Sequence, residues 1–168
     1  LCEEAAGTAV ETEFAMTVDK DSTGKARFGF LQVRPMVVSN EEVKISDDEL
    51  HGTKLLISSD HALGNGTLNL IKDVVYVKPG SFEAKHSPKI AGELEAVNNS
   101  LSKTKTPYML IGFGRWGSTD PWLGIPVNWG QISGAKVIVE SMLENMNVEL
   151  SQGSHFFHNI SCFRVFYF

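Results

Sequence analysis

The sequence predicts a mixed α/β (α+β) protein in which an N-terminal β-hairpin precedes a small α/β layered domain. Apolar and polar residues alternate over Val10–Val18 and again over 27–34, which is the period of half-buried strands. Further along, the predicted elements follow the order strand, helix, strand, glycine loop, helix, strand, which indicates a layered α/β unit. The 168 residues, 42% of them hydrophobic, suffice for one core and an appendage.

The first two predicted strands pair well as a hairpin. A loop over 21–24 sets Phe14 opposite Leu31 and Thr12 opposite Val33, so that apolar side chains meet on one face. A slip of one residue would set apolar side chains against polar ones, so the pattern itself favours this register. The other face is predicted to carry Glu11 opposite Arg34, Glu13 opposite Gln32, and Phe28 and Phe30 beside them.

Strands and helices alternate in the predicted second domain. Strand patterns lie at 53–58, 73–78 and 108–112, with candidate strands at 148–150 and 162–168. One helix is predicted with Ser87 as its N-cap, Pro88 at its first position, and an apolar stripe of Ile90, Leu94, Val97 and Leu101. A second helix is predicted from about Ser133, burying Ala135, Ile138, Met142 and Met146.

The chain is therefore divided into a hairpin segment at 1–38, an acidic linker at 39–50 and an α/β domain at 51–168. Its net charge of −5 without a basic block argues against nucleic acid as a partner. No apolar run approaches the ~20 residues that cross a bilayer, so no membrane partner is expected. Cys2 and Cys162 lack metal-ligand spacing, which fits a reduced cytoplasm, with a terminal disulfide as the alternative.

The polar hairpin face offers the chemistry of a metal-bound polyphosphate site. Glu13 and Gln32 supply hard oxygen ligands of the kind that Mg²⁺ shares with phosphates and water. Arg34 supplies a planar fork for a phosphate oxygen. The alternative is an ordinary surface hairpin with cross-strand polar pairs, which are common and individually weak.

These residues also carry a resemblance. Glu-Phe-Ala at 13–15, followed by a hairpin and Phe-Leu-Gln-Val-Arg-Pro-Met at 30–36, resembles the end of the ATP-grasp nucleotide-binding domain in the phosphoenolpyruvate synthase and pyruvate phosphate dikinase family. The resemblance implies that Glu13 and Gln32 are Mg²⁺ and ATP ligands and that Arg34 is a catalytic phosphate contact. Segments 110–118 and 152–158 are similar to the downstream part of large bacterial proteins assigned to this family.

Other parts of that family have no counterpart in this sequence, namely the glycine-rich phosphate loop, the phosphohistidine domain and the phosphoenolpyruvate barrel. We therefore expect a fragment of an ATP-dependent phosphotransferase that is inactive alone. In the intact enzyme, the resemblance implies transfer of a phosphoryl group from Mg²⁺-ATP to a histidine on a missing domain of the same chain, and then to pyruvate. The alternative is a non-catalytic regulatory or scaffold domain that binds a small anion or a partner domain.

The segment 112–117, Gly-Phe-Gly-Arg-Trp-Gly, matches the dinucleotide-binding expression G-x-G-x-x-G. That fingerprint requires a helix to open within the motif, whereas 118–126 is predicted to continue as a loop. A loop in which backbone amides and Arg115 hold an anion between Trp116 and Trp122 is the sharper hypothesis. A rigid loop that packs against a neighbouring domain is the alternative.

Two histidines near the end of the chain also have alternative interpretations. His155 and His158 could ligate a metal if they lay on one helix, or His155 could act as an acid or base oriented by Asp120. Structural or interface histidines are the default interpretation, which also applies to His61. We expect the loops 112–120 and 152–158 to meet at the carboxyl ends of the strands.

Overall fold

The structure is a computed structural model that describes residues 1–18, 26–35, 43–144, 146 and 148–168. The chain forms two compact units, Leu1–Val38 and Ser39–Phe168. The first holds a two-stranded antiparallel hairpin and the second a parallel sheet with helices, which confirms the mixed α/β class. The predicted hairpin loop at 21–24 and the start of the predicted linker, 39–42, lie outside the described residues.

Each unit has its own helices and strands. In the first unit they are α1 (Cys2–Ala6), β1 (Val10–Val18) and β2 (Ala26–Pro35). In the second unit they are α2 (Asp47–Leu50), β3 (Asp73–Tyr76), α3 (Ser87–Lys103), β4 (Tyr108–Phe113), β5 (Arg115–Trp116), β6 (Gly124–Ile125), α4 (Trp129–Ile132), β7 (Ala135–Ser141), α5 (Phe157–Phe163) and β8 (Phe166–Tyr167). No helix in the described part of the chain is long and apolar enough to cross a membrane.

A β-bulge divides the hairpin into two halves. In the half that contains the pair Val10 and Pro35, the register is as predicted, with Thr12 opposite Val33. The register shifts between Glu13 and Phe14, and Phe14 then faces Phe30. The predicted pairing of Phe14 with Leu31 is therefore wrong, because Leu31 is the additional residue that a bulge leaves without a direct partner.

The bulge also changes which side chains share a face of the hairpin. Phe14 and Met16 on β1 stand opposite Phe30 and Phe28, and the rings of Phe14 and Phe28 stack 5.0 Å apart. The two phenylalanines of β2 therefore lie on the apolar face, not beside Glu13 as predicted. The hairpin therefore has one apolar face and one polar face.

The second unit is built on a four-stranded sheet of order β3-β4-β7-β8 in which all neighbours are parallel. The strand order follows the chain order, and residues of the helices α3 and α5 share one buried cluster with residues of β4 and β7. A pair of short parallel strands, β5 and β6, lies in the connection between β4 and β7.

The core of this unit lies between the sheet and its helices. It contains Ala91, Leu94, Tyr108, Leu110, Trp116, Ile125, Val127, Ile132, Ala135, Ile138, Phe156, Ile160, Val165 and Tyr167. Trp116 is completely buried, and its indole N–H donates to the Val139 carbonyl at 2.9 Å. Gly112 leaves the space that the Trp116 ring fills, since a Cβ at Gly112 would overlap that ring.

The predicted helix from Ser133 is wrong, because the segment Ala135–Ser141 is the strand β7. Its residues Ala135 and Ile138 fit a helical spacing, but Val137 and Val139 are buried as well. A strand covered on both faces needs a continuous apolar run, and such a run also satisfies a helical pattern over a short window.

The other boundaries differ from the predictions to different degrees. Strands β3 and β4 lie where they were predicted, whereas 53–58 and 148–150 form no strand. Within 162–168 only Phe166–Tyr167 is a strand, and Cys162 belongs to the preceding helix α5.

The helix α3 begins at Ser87, with His86 as its N-cap, so the predicted N-cap lies one residue too late. Its buried residues are Ser87, Ala91, Leu94 and Asn98, while Val97 of the predicted stripe is 39% exposed.

Candidate functional site

The polar face of the hairpin brings together the side chains that the sequence singled out. Glu13 lies opposite Gln32, and Glu11 lies opposite Arg34. Alternation along β1 keeps these residues on one face, and the bulge at Leu31 ends the register just beyond them. Bulges often re-aim side chains next to functional sites, which makes this position notable.

Arg34 is oriented by its neighbour on the same strand. Its guanidinium Nη2 donates a hydrogen bond to Oε1 of Gln32. An amide oxygen has two lone pairs and a guanidinium has five N–H donors, so both groups keep capacity for a ligand after this bond. Glu13, Gln32 and Arg34 are side by side at the hairpin surface, with Glu13 and Gln32 exposed.

The donor set fits Mg²⁺ held with a nucleotide. Directly opposite residues in a hairpin have Cβ atoms about 5 Å apart, which lets the Glu13 carboxylate and the Gln32 amide converge on one ion. Mg²⁺ needs only one or two protein oxygens when phosphates and water complete its shell. A site made by protein groups alone is not seen, because the described residues include no cluster of three or more potential metal-ligating His, Cys, Asp or Glu side chains.

In the second unit, the loops 112–120 and 152–158 meet, as the sequence predicted. A Cβ at Gly117 would lie 3.1 Å from Cβ of His155 and 2.8 Å from the Phe156 ring. Gly117 has φ +80°, so glycine permits both the turn and this close approach. Residues 112–128 are all described and none of them is helical, which leaves no helix N-terminus for a dinucleotide site.

Arg115 is tied to the protein backbone. Its Nε donates to the carbonyl of Glu149 at 2.6 Å, and the described residues contain no carboxylate in an ion pair with it. Asp120 instead accepts a hydrogen bond from the backbone N–H of Trp122 at 2.9 Å. Arg115 therefore fixes the 149 loop while keeping donors for an anion.

The two histidines lie on consecutive helical elements of the chain. His155 lies in the 3₁₀ turn Ser154–Phe156 and His158 in the following helix α5. Asp120 Oδ1 is engaged by Trp122, and no hydrogen bond joins Asp120 to His155 among the described residues. This arrangement does not support the acid and base pair that the sequence suggested.

The sequence analysis missed a buried carboxylate, Glu140, near the carboxyl end of β7. Its side chain is 6% exposed and accepts hydrogen bonds from several donors. These are the Trp116 N–H at 3.0 Å, the Ser151 N–H at 2.7 Å, the Ser151 hydroxyl, the Gln152 N–H at 3.1 Å and the Tyr167 hydroxyl at 2.7 Å. Glu140 thereby joins β5, β7, β8 and the 151 loop.

This network is structural in its chemistry. A carboxylate offers about four lone-pair sites, so these donors saturate Glu140 and leave no base to accept a substrate proton. Burial, with the negative charge of Glu140, raises the pKa of the Tyr167 hydroxyl, which keeps it protonated and donating. The single acidic residue that follows the apolar run Val137-Ile138-Val139 could have indicated a buried carboxylate. Because this segment was predicted to be a helix, the role of Glu140 was not recognised.

A cavity of about 290 Å³ adjoins this network at the carboxyl ends of β7 and β8. Its lining includes Asp60, His61, Glu140, Gln152 and Tyr167. His61 belongs to this lining, and its backbone N–H donates to the Ser59 hydroxyl, which in turn donates to the His61 carbonyl. Ligands commonly bind at this edge of parallel sheets.

Comparisons with known proteins identify no family: no family model matches the chain, and neither the curated proteins nor the solved structures gave a match.

Proposed function

We propose that the hairpin unit contributes to the Mg²⁺-ATP site of a cytoplasmic ATP-dependent phosphotransferase of the phosphoenolpyruvate synthase and pyruvate phosphate dikinase type, as the last hairpin of its ATP-grasp domain. The observation that carries the proposal is the pairing of Glu13 with Gln32 on the face where Arg34 binds Gln32. An acid, an amide oxygen and a guanidinium are thereby presented together.

Each of these residues has a distinct role in the proposal. Glu13 and Gln32 hold the metal, which when bound neutralises charge on the ATP phosphates. Arg34 binds a phosphate oxygen and offsets the negative charge that develops in phosphoryl transfer. The histidine that receives the phosphoryl group and the site for pyruvate belong, in this proposal, to further domains of the same protein.

The hairpin alone cannot enclose a nucleotide. Its polar side chains Glu13 and Gln32 are exposed, whereas nucleotide pockets bury most of their ligand. We therefore expect this chain to bind Mg²⁺-ATP with a Kd of about 1 mM or weaker and to show no ATP hydrolysis. Calorimetry that found micromolar affinity for the isolated chain would contradict this expectation.

Nuclear magnetic resonance tests the proposal on the chain itself. Titration with Mg²⁺-ATP should shift the resonances of Glu13, Gln32 and Arg34. Arg34→Ala should abolish the shifts. Arg27→Ala is the matched control, because Arg27 lies on the same strand and the same face, opposite Thr17. Equal losses in both variants would indicate general charge attraction and refute a defined site.

In the intact enzyme of this proposal, the same pair of variants separates catalysis from folding. Arg34→Ala should lower ATP-dependent phosphoryl transfer by about 10²-fold or more, the size of a lost transition-state donor, with the fold retained. Arg27→Ala should keep the activity within about twofold, since a surface change away from the site costs little. Wild-type turnover in Arg34→Ala would remove Arg34 from the site.

The second unit supports a non-catalytic role as the alternative function. Its buried carboxylate Glu140 is saturated by donors, and Arg115 is fixed to the carbonyl of Glu149. These groups build a rigid edge rather than a reactive one. We infer that residues 51–168 bind a small anion or a partner domain, and inorganic phosphate that shifted Arg115 resonances, with a loss in Arg115→Ala, would favour this role.

A further inference from the structure

The outer edge of the parallel sheet offers backbone groups for pairing. Strand β3 is the terminal strand of the sheet. The Val77 N–H donates to the Ile111 carbonyl at 3.0 Å, so Val75 and Val77 turn their backbone groups towards β4. Residues alternate in a parallel ladder, and Val74 and Tyr76 therefore turn their N–H and C=O groups outwards. No other strand in the described part of the chain pairs with this side.

A groove of about 510 Å³ runs beside this edge, between β3 and α3. Its apolar lining comes from both elements: Val75, Val77, Ile90, Leu94 and Val97. Its volume lies within the range of ligand-binding clefts. An additional strand along β3 would point alternate side chains into this groove, which is the geometry of peptide binding by strand addition.

The rim of the groove is more basic than the chain as a whole. Lys78, Lys89 and His86 line it, and Glu93 is the acid among its lining residues. Lys89 lies 3.6 Å from Glu93 in an exposed pair, which is a weak interaction that a ligand can replace. This rim belongs to a chain whose net charge is −5. It therefore favours a negatively charged occupant.

We propose that the β3 edge and its groove bind an extended acidic segment of a partner protein as a further strand. Its apolar side chains fill the groove at alternate positions. Carboxylates at the two ends of the segment meet Lys78 and Lys89 at the rim. Its backbone pairs with the outward groups of Val74 and Tyr76. Main-chain hydrogen bonds provide affinity in this binding mode, and the groove and rim provide specificity.

A second copy of the same chain fits this edge less well. Antiparallel pairing that uses both outward residues sets Val74 of one chain opposite Tyr76 of the other. The same register sets Lys72 opposite Lys78, and like charges directly opposite each other destabilise a strand pair. The charges thus favour the acidic partner.

Fluorescence anisotropy tests the proposal with the whole 168-residue chain and a labelled, capped peptide, Glu-Val-Glu-Val-Glu-Ile-Glu. We expect it to bind at least about tenfold more tightly than its counterpart with lysine in place of each glutamate. Val74→Pro should weaken binding about tenfold or more, because proline removes an outward N–H without removing a bond to β4. Val74→Thr keeps that N–H and should bind as the wild type does.

Two further measurements do not depend on the proline variant folding. Lys78→Glu should weaken binding of the acidic peptide about tenfold, and hydrogen exchange on the wild-type chain should slow at Val74 and Tyr76 when the peptide binds. Unchanged exchange at both amides, equal binding of the lysine peptide, or full binding by a folded Val74→Pro would overturn the proposal. A dimer of the chain that Val74→Pro dissolves would assign the edge to a second copy and also overturn it.

Discussion

Removal of the Glu140 carboxylate is the most informative perturbation of the second unit. The substitution Glu140→Ala deletes the acceptor for the N–H groups of Trp116, Ser151 and Gln152 and for the hydroxyl of Tyr167. Glu140→Gln retains one oxygen but turns an NH₂ group towards donors. Tyr167→Phe removes one donor and leaves the carboxylate otherwise satisfied.

The structure sets the order of the expected losses in free energy of unfolding. A buried donor left unsatisfied costs about 1–3 kcal/mol, and the bonds from Trp116 and Tyr167 are fully buried. Glu140→Ala should therefore cost about 3–5 kcal/mol. Glu140→Gln should cost about 2 kcal/mol, and Tyr167→Phe about 1.5 kcal/mol, because one hydrogen bond to a charged group is lost.

Urea denaturation followed by tryptophan fluorescence measures these differences. All three tryptophans, Trp116, Trp122 and Trp129, belong to the second unit, so the signal reports the unfolding of this unit alone. Glu144→Ala, at an exposed acid outside the network, serves as the control and should change stability by less than about 0.5 kcal/mol.

A particular result would refute the reasoning about this network. If Glu140→Ala were as stable as Glu144→Ala, the buried donors would have found other partners, and the carboxylate would not hold the strand ends together. A loss in Tyr167→Phe that exceeded the loss in Glu140→Ala would likewise show that the Tyr167 hydroxyl stabilises the unit through groups other than Glu140.

Three further predictions concern the same unit. Gly112→Ala should destabilise it by about 1–3 kcal/mol, because the added Cβ overlaps the Trp116 ring, whereas Gly92→Ala in an open helical position should stabilise it by about 0.5–1 kcal/mol in the same urea assay. Burial raises the pKa of Tyr108 from 10.0 to about 12, so the folded state holds this proton more tightly and stability should fall as pH rises from about 10 towards 12; pH-dependent melting should show a smaller fall in Tyr108→Phe, and an equal fall would contradict the assignment. Arg115→Ala should lower stability by only about 0.5–1.5 kcal/mol, as one hydrogen bond to a carbonyl is lost, and a larger loss would indicate an additional packing role.

The sequence by itself determined the hairpin and the register of the half that contains Val10 and Pro35. Strict alternation along Val10–Val18 fixes which side chains share a face, so Glu13 opposite Gln32 could be predicted from the pattern. The β3 and β4 strands were also predictable, since β-branched and aromatic residues occur there in short apolar runs.

Only the tertiary structure decided the bulge at Leu31, the strand β7 and the role of Glu140. A bulge needs the partner strand for its definition, and nothing in the local pattern of 30–33 indicates it. The run Ala135–Ser141 satisfies both helical and strand periods, and burial between β4 and β8 selects the strand. Glu140 can be buried because its carboxylate accepts hydrogen bonds from Trp116, Ser151 and Tyr167, which offset the cost of its desolvation. These residues come from other parts of the sequence, so the local pattern around Glu140 does not indicate them.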